Sequence, residues 1–170
     1  MERALVIGIM GPGDKADSED LKNAWNLGAL IAQNGWHTLT GARRSGIMEE
    51  ALRGAKEFGG RTIGIIPGKI KHEATPYADI IIPTGMGNAR NVINVLASDI
   101  VVAVRCNSAG TVSEACLAIK EKKPLVLLGA NAAMADVIKA LGSDLVSIAE
   151  TPADVVASIR RSAAQWGLKS

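Results

Sequence analysis

Aromatic side chains are scarce in this 170-residue chain, at 3%: Trp25, Trp36, Trp166, Tyr77 and Phe58. A platform that stacks single-stranded bases needs several of them on one surface, so that mode of nucleic-acid binding is not expected. An excess of one charge is missing too. Nineteen Lys+Arg against seventeen Asp+Glu leave a net +2, with neither the basic footprint of a nucleic-acid binder nor an acidic tail. Cysteine is limited to Cys106 and Cys116, and histidine to His37 and His72. Neither cysteine belongs to a C-x-x-C pair, so no structural metal site is expected, and two thiols make no disulfide scaffold. Met1-Glu2-Arg3 leads into a short apolar run broken at Gly8 and Gly11, unlike a secretory signal. No apolar run approaches the ~20 residues of a membrane span. Together these absences lead us to expect a cytoplasmic protein with no nucleic-acid or membrane partner.

What the chain does have is 48% hydrophobic residues, mostly aliphatic, and eighteen glycines. The order of its segments is regular. Ala4–Met10 is a continuous apolar run, as a strand buried on both faces should be. Leu21, Trp25, Gly28 and Ala32 then recur at helical spacing behind Ser18, the expected N-cap. The alternation continues through strands at 36–40, 61–66, 79–83, 99–104, 125–128 and 145–148, with helices at 47–58, 88–97, 112–122, 133–141 and 152–166. Strict β/α alternation without a linker or repeat predicts an α/β fold. We expect a single doubly wound, mostly parallel sheet with helices on both faces, one Rossmann-like domain over residues 1–170.

In such folds ligands sit beyond the carboxyl ends of the strands. Four strand-to-helix loops carry the unusual residues. The first holds Gly11 and Gly13, and the second Gly41, Arg43, Arg44 and Gly46. The third holds Gly85, Gly87 and Arg90, and the fourth Asn107, Ser108, Gly110 and Thr111, with Glu114 one turn on. Backbone N–H groups at a helix start, uncovered by glycine, attract anions, and four such loops on one edge point to a phosphorylated small molecule. The G-x-G-x-x-G and G-x-x-x-x-G-K-[ST] patterns are absent, which argues against a dinucleotide or P-loop site. Arg90, at a helix start, is either a surface charge or a bidentate phosphate ligand. Arg43 and Arg44 are adjacent, so one at most faces the pocket. Glu114 is either a capping-box residue behind Thr111 or a ligand contact. His37 reads as structural, His72 as solvated, and Cys106 and Cys116 as buried small hydrophobes.

The motifs resemble those of a known family. Gly41-x4-Gly46-Ile47-Met48-Glu49 is similar to its G-G-x-x-x-G-[LIV]-M signature, and Gly60–Pro67 to its G-G-x-x-x-G-I-I-P. Ala89-Arg90-Asn91 with Ser98-Asp99 resembles its R-[KN]…[SA]-D segment, and Ala109-Gly110-Thr111-x-x-Glu114 the end of its P-G-G-x-G-T-x-x-E. This is the LOG-like Rossmann superfamily, once called lysine decarboxylase-like. It includes nucleoside 5′-monophosphate phosphoribohydrolases and molybdenum cofactor carrier proteins. Gly85-x-Gly87-x-Ala89-Arg90-Asn91 and Met48-Glu49 look like the carrier branch. One departure stands out: Arg105-Cys106-Asn107-Ser108-Ala109 replaces the double glycine and is one residue longer.

The resemblance implies a protein that binds or carries a phosphorylated pterin or nucleotide, with molybdenum cofactor as its possible ligand and no cofactor required. The alternative it implies is a phosphoribohydrolase, in which Arg90 and Glu114 would be the catalytic pair. It also implies a homo-dimer or tetramer. The helix at 88–97, with only Asn91 and Asn94 as polar cover, suits burial against a second copy.

Overall fold

The computed structural model describes residues 3–168. Seven strands form one sheet: β1 (Val6–Met10), β2 (His37–Thr40), β3 (Thr62–Ile66), β4 (Ile80–Pro83), β5 (Ile100–Val104), β6 (Leu125–Leu128) and β7 (Val146–Ala149). Their spatial order is β4-β3-β2-β1-β5-β6-β7, and every pairing is parallel. The sheet is therefore wholly rather than mostly parallel. Six helices cover it: α1 (Ser18–Gln33), α2 (Gly46–Glu57), α3 (Asn91–Ala97), α4 (Ala109–Lys120), α5 (Ala132–Gly142) and α6 (Pro152–Gln165).

The strands read as unbroken apolar runs because both faces are covered. On central β5, Ile100, Val102 and Val104 pack with α1, α2 and α6, while Val101 and Ala103 meet α3, α4 and α5. All five are buried. Burying a Val or Ile side chain contributes roughly 1.5–3 kcal/mol. A polar residue on this strand is therefore among the costliest changes to the fold. No helix among the described residues is long and apolar enough to cross a membrane.

Several local expectations shift. The N-cap of α1 is Asp17, not Ser18: its carboxylate accepts from the N–H groups of Glu19 and Asp20, and Asp20 returns a bond to the Asp17 N–H. Ser108 caps α4, so that helix starts three residues earlier than its apolar periodicity suggested. Its inward stripe becomes Thr111, Glu114, Ala115 and Ala118, which turns Cys116 to solvent rather than to the core. On α3, Asn94 is buried and offers no polar cover; Val92 and Leu96 are exposed large apolar residues, at 39% and 50%.

Candidate functional site

Strand order reverses direction between β1 and β5. Connections from β1 run outward one way and those from β5 the other, leaving a crevice beyond their carboxyl ends. A cleft of about 270 Å³ opens there. The loop after β1 forms one wall with Gly11, Pro12, Gly13, Asp14 and Lys15. Gly41 and Arg43 enter from β2, Asn88 and Arg90 from the turn that precedes α3, and Asn91 from its first residue. Ser108, Gly110, Thr111 and Glu114 close it from the start of α4.

Arg90 dominates the electrostatics. It is only 5% exposed, although it lines the cleft. Its Nη1 donates to Asn91 Oδ1 at 3.0 Å. Nε is buried with no partner among the described residues. Gly41 makes this burial possible, because a Cβ there would fall 2.4 Å from Arg90 Nη2. The guanidinium thus lies against bare backbone. Burial lowers the Arg90 pKa, the Glu114 carboxylate raises it, and the neighbouring Arg43 charge lowers it again. A buried cation with idle donors is costly unless an anion meets it.

Glu114 is the nearest carboxylate, at 3.7 Å from Nη1. That distance is ion-pair contact without a hydrogen bond. Its Oε1 instead accepts from Asn94 Nδ2 at 3.1 Å. Burial pushes the Glu114 carboxyl above the usual range, against the downward pull of Asn94 and Arg90. The capping-box reading does not hold, because Ser108 caps α4 and its Oγ accepts from Thr111 N–H. Glu114 sits one turn deeper, facing the cleft. Asn94 Oδ1, beside this pair, is a second buried atom without a partner among the described residues.

The remaining expected residues divide. Gly11, Gly13, Gly41, Arg43, Arg90, Ser108, Gly110, Thr111 and Glu114 come together around the cleft. Arg44 turns away: its Nε donates to Ala74 O at 2.9 Å and its Nη2 to His72 O. Gly46 opens α2 behind the cleft, and Gly85 and Gly87 are exposed outside it. Asn107 lines a separate polar cleft with Asp17, Asp20 and Arg105. Arg105 has φ +64, and Cys106 N–H donates to Val104 O at 2.8 Å, closing a γ-turn two residues before Asn107.

Sequence reasoning did not single out Ile9, Met10, Pro12, Asp14, Lys15, Met48, Asn88 or Asn91 as lining residues. Asn91 had a usable signal, since an amide beside Arg90 can orient the guanidinium. Lys15 follows the glycine loop by two residues and had none beyond proximity. Among the described residues no three His, Cys, Asp or Glu side chains cluster as metal ligands. Cys106 is buried and its thiol is pushed up to about 11 by desolvation and then by Cys116. It is an inert packing residue at neutral pH.

Known proteins share this architecture. The molybdenum cofactor binding protein of the phototrophic bacterium Rippkaea orientalis superposes with a TM-score of 0.89 at 47% identity, over 94% of this chain and 97% of its own. The molybdenum cofactor carrier protein of Chlamydomonas reinhardtii gives 0.90 at 42% identity, over 95% and 99%. An uncharacterised protein of Archaeoglobus fulgidus is 40% identical over 126 residues, 74% of this chain and 81% of its own. A family model described as the SLOG cluster4 family matches residues 4–156, and the chain belongs to that family.

Proposed function

We propose that this protein binds and carries a phosphorylated pterin, molybdenum cofactor, as cargo in the β1/β5 cleft. One observation carries the reading: Arg90 is a nearly buried guanidinium with an idle Nε, bordering a cleft. A phosphate supplies the acceptors it lacks, and charge-assisted bonds to a guanidinium are about twice as strong as neutral ones. Arg43 and Lys15 add positive charge at the rim. The N-terminus of α4 adds uncapped N–H groups at Ala109 and Gly110. Glu114 accepts N–H or O–H donors of the ligand, which keeps a carboxylate useful beside an anion. At about 270 Å³ the cleft falls just short of the roughly 300 Å³ that encloses a drug-sized ligand, so it suits one end of the cargo. Relatives named for this cofactor, at 47% and 42% identity over nearly the whole chain, support the choice of pterin.

A second reading is favoured by Glu114 itself. A buried carboxyl beside an anion site is what a phosphoribohydrolase needs to offset oxocarbenium charge. The fourth loop weighs against it: the resemblance implies a double glycine there, and Arg105, Cys106 and Asn107 stand in its place. Equilibrium binding of molybdenum cofactor, alongside a base-release assay with nucleoside monophosphates, separates the two. We expect saturable cofactor binding and no released base. Base release that disappears in Glu114→Gln, without cofactor binding, reverses the assignment.

A further inference from the structure

A second lobe adjoins the main cleft. It has a volume of about 230 Å³ and lies beyond the carboxyl ends of β2 and β3. Gly41 and Arg43 line both lobes, so the two adjoin at Arg43. Ala42, Ile66 and Pro67 make the apolar floor of the second lobe, and Arg43 and Arg44 line it as well. Glu73, the last residue of the single-turn 3₁₀ segment Lys71–Glu73, also lines it. That segment is pinned. Arg44 donates to the His72 and Ala74 carbonyls, Thr75 N–H donates to Ala42 O at 3.0 Å, and Thr75 Oγ1 donates to Glu49 at 2.9 Å. The Glu73 carboxylate folds back over the lobe. A Cβ on Gly68 would meet its Oε2 at 1.7 Å. It makes no hydrogen bond to the chain among the described residues.

An apolar floor with one carboxylate at its edge is a slot for a flat heterocycle that presents N–H donors in its plane. We propose that this lobe takes a 2-amino-4-oxopyrimidine edge, with Glu73 accepting from the ring N–H and the 2-amino group. Pterins and guanines share that edge. The ligand then spans both lobes, phosphate on Arg90 and heterocycle on Glu73. The inference rests on the main cleft being the phosphate end.

Full-length chain is titrated calorimetrically with inorganic phosphate, GMP, IMP and 6-hydroxymethylpterin phosphate. GMP and IMP differ only in the 2-amino group. A hydrogen bond to a charged acceptor corresponds to roughly tenfold to hundredfold in affinity, and GMP is expected to exceed IMP by that factor. The gap should collapse in Glu73→Ala and in Gly68→Ala, which puts a methyl where the carboxylate lies. Phosphate affinity should stay constant in both variants. Pterin phosphate binding tighter than GMP assigns a pterin source for the edge, and the converse a guanine nucleotide. Equal GMP and IMP affinities, or a gap that survives Glu73→Ala, overturn the second-lobe assignment while phosphate binding stands. Absence of phosphate binding overturns the main-cleft reading as well.

Discussion

Arg90 and Arg105 both lie beyond the carboxyl ends of strands, on the same edge of the sheet. Arg105 spends its charge inside the protein: its Nη1 donates to both Asp17 and Asp20, which also build the capping box of α1. Those two carboxylates hold the Arg105 pKa above its ordinary value. Among the described residues Arg90 has one hydrogen-bonding oxygen partner, the Asn91 amide, and a carboxylate at ion-pair distance only. Burial pulls its pKa down. The better-paired arginine is thus the more exposed one. Where charge is neutralised locally the residue shapes a loop. Where a buried charge keeps idle donors, the fold has retained an instability that an external anion relieves.

The widest break in this contrast is expected from Arg90→Ala. Losing charge-assisted bonds should weaken inorganic phosphate binding by about 1.5–3 kcal/mol, roughly tenfold to hundredfold. Titration calorimetry on a variant shown folded by circular dichroism checks it. Unchanged affinity would reduce Arg90 to a packing residue.

Gly41→Ala tests the same group from behind. A methyl 2.4 Å from Nη2 forces the guanidinium off its backbone bed. Because the end of an arginine can shift, the loss should be smaller than for Arg90→Ala, about fivefold, the equivalent of ~1 kcal/mol. An affinity equal to wild type would mean that the bed does not position Arg90.

Glu114 sharpens the comparison through pH. Its carboxyl is raised by burial, so the folded state holds the proton more tightly than the unfolded one. Its stabilising contribution is full below the unfolded pKa and is lost as pH rises through the raised folded value. Wild-type stability relative to Glu114→Gln should therefore decline from about pH 4.5 upward, since 4.5 is the ordinary value for this group. Denaturant melts of both proteins across that range read the slope directly. A difference that grows with pH would mean that the Arg90 and Asn94 contacts outweigh burial.

Much of the framework could be read from the residues. Continuous β-branched runs separated by helical stripes led to the parallel sheet, and glycine loops after strands led to its ligand-binding edge. What escaped depends on contacts distant in sequence. Arg90 reads equally as a surface charge until Gly41 is known to lie behind it. Nothing local separates Arg43 from Arg44. The choice is made by the His72 and Ala74 carbonyls, which capture Arg44 and leave Arg43 at the cleft. Asn107 lies outside the main cleft and Cys116 outside the core for one shared reason. The γ-turn at Arg105 and the cap at Ser108 reset the start and phase of α4, and neither is visible in apolar periodicity.

The smallest effect on binding is expected at the other pole. Arg105→Ala removes two ion pairs from the α1 N-terminus, yet none of the cleft's lining is lost. Phosphate affinity should stay within about twofold of wild type, because a neutralised charge in a neighbouring cleft is screened from the site. The change should appear in stability instead. Asp17 and Asp20 would repel each other across the helix start without the guanidinium, and a lower Tm is expected. Added salt should narrow that difference, as it does for exposed charges. Arg105→Gly makes the complementary probe, since it loses the same pairs but relieves the φ of +64 at the γ-turn. It should therefore melt above Arg105→Ala. If Arg105→Ala instead weakens phosphate binding tenfold, the γ-turn is part of the binding machinery and the division between the two arginines fails.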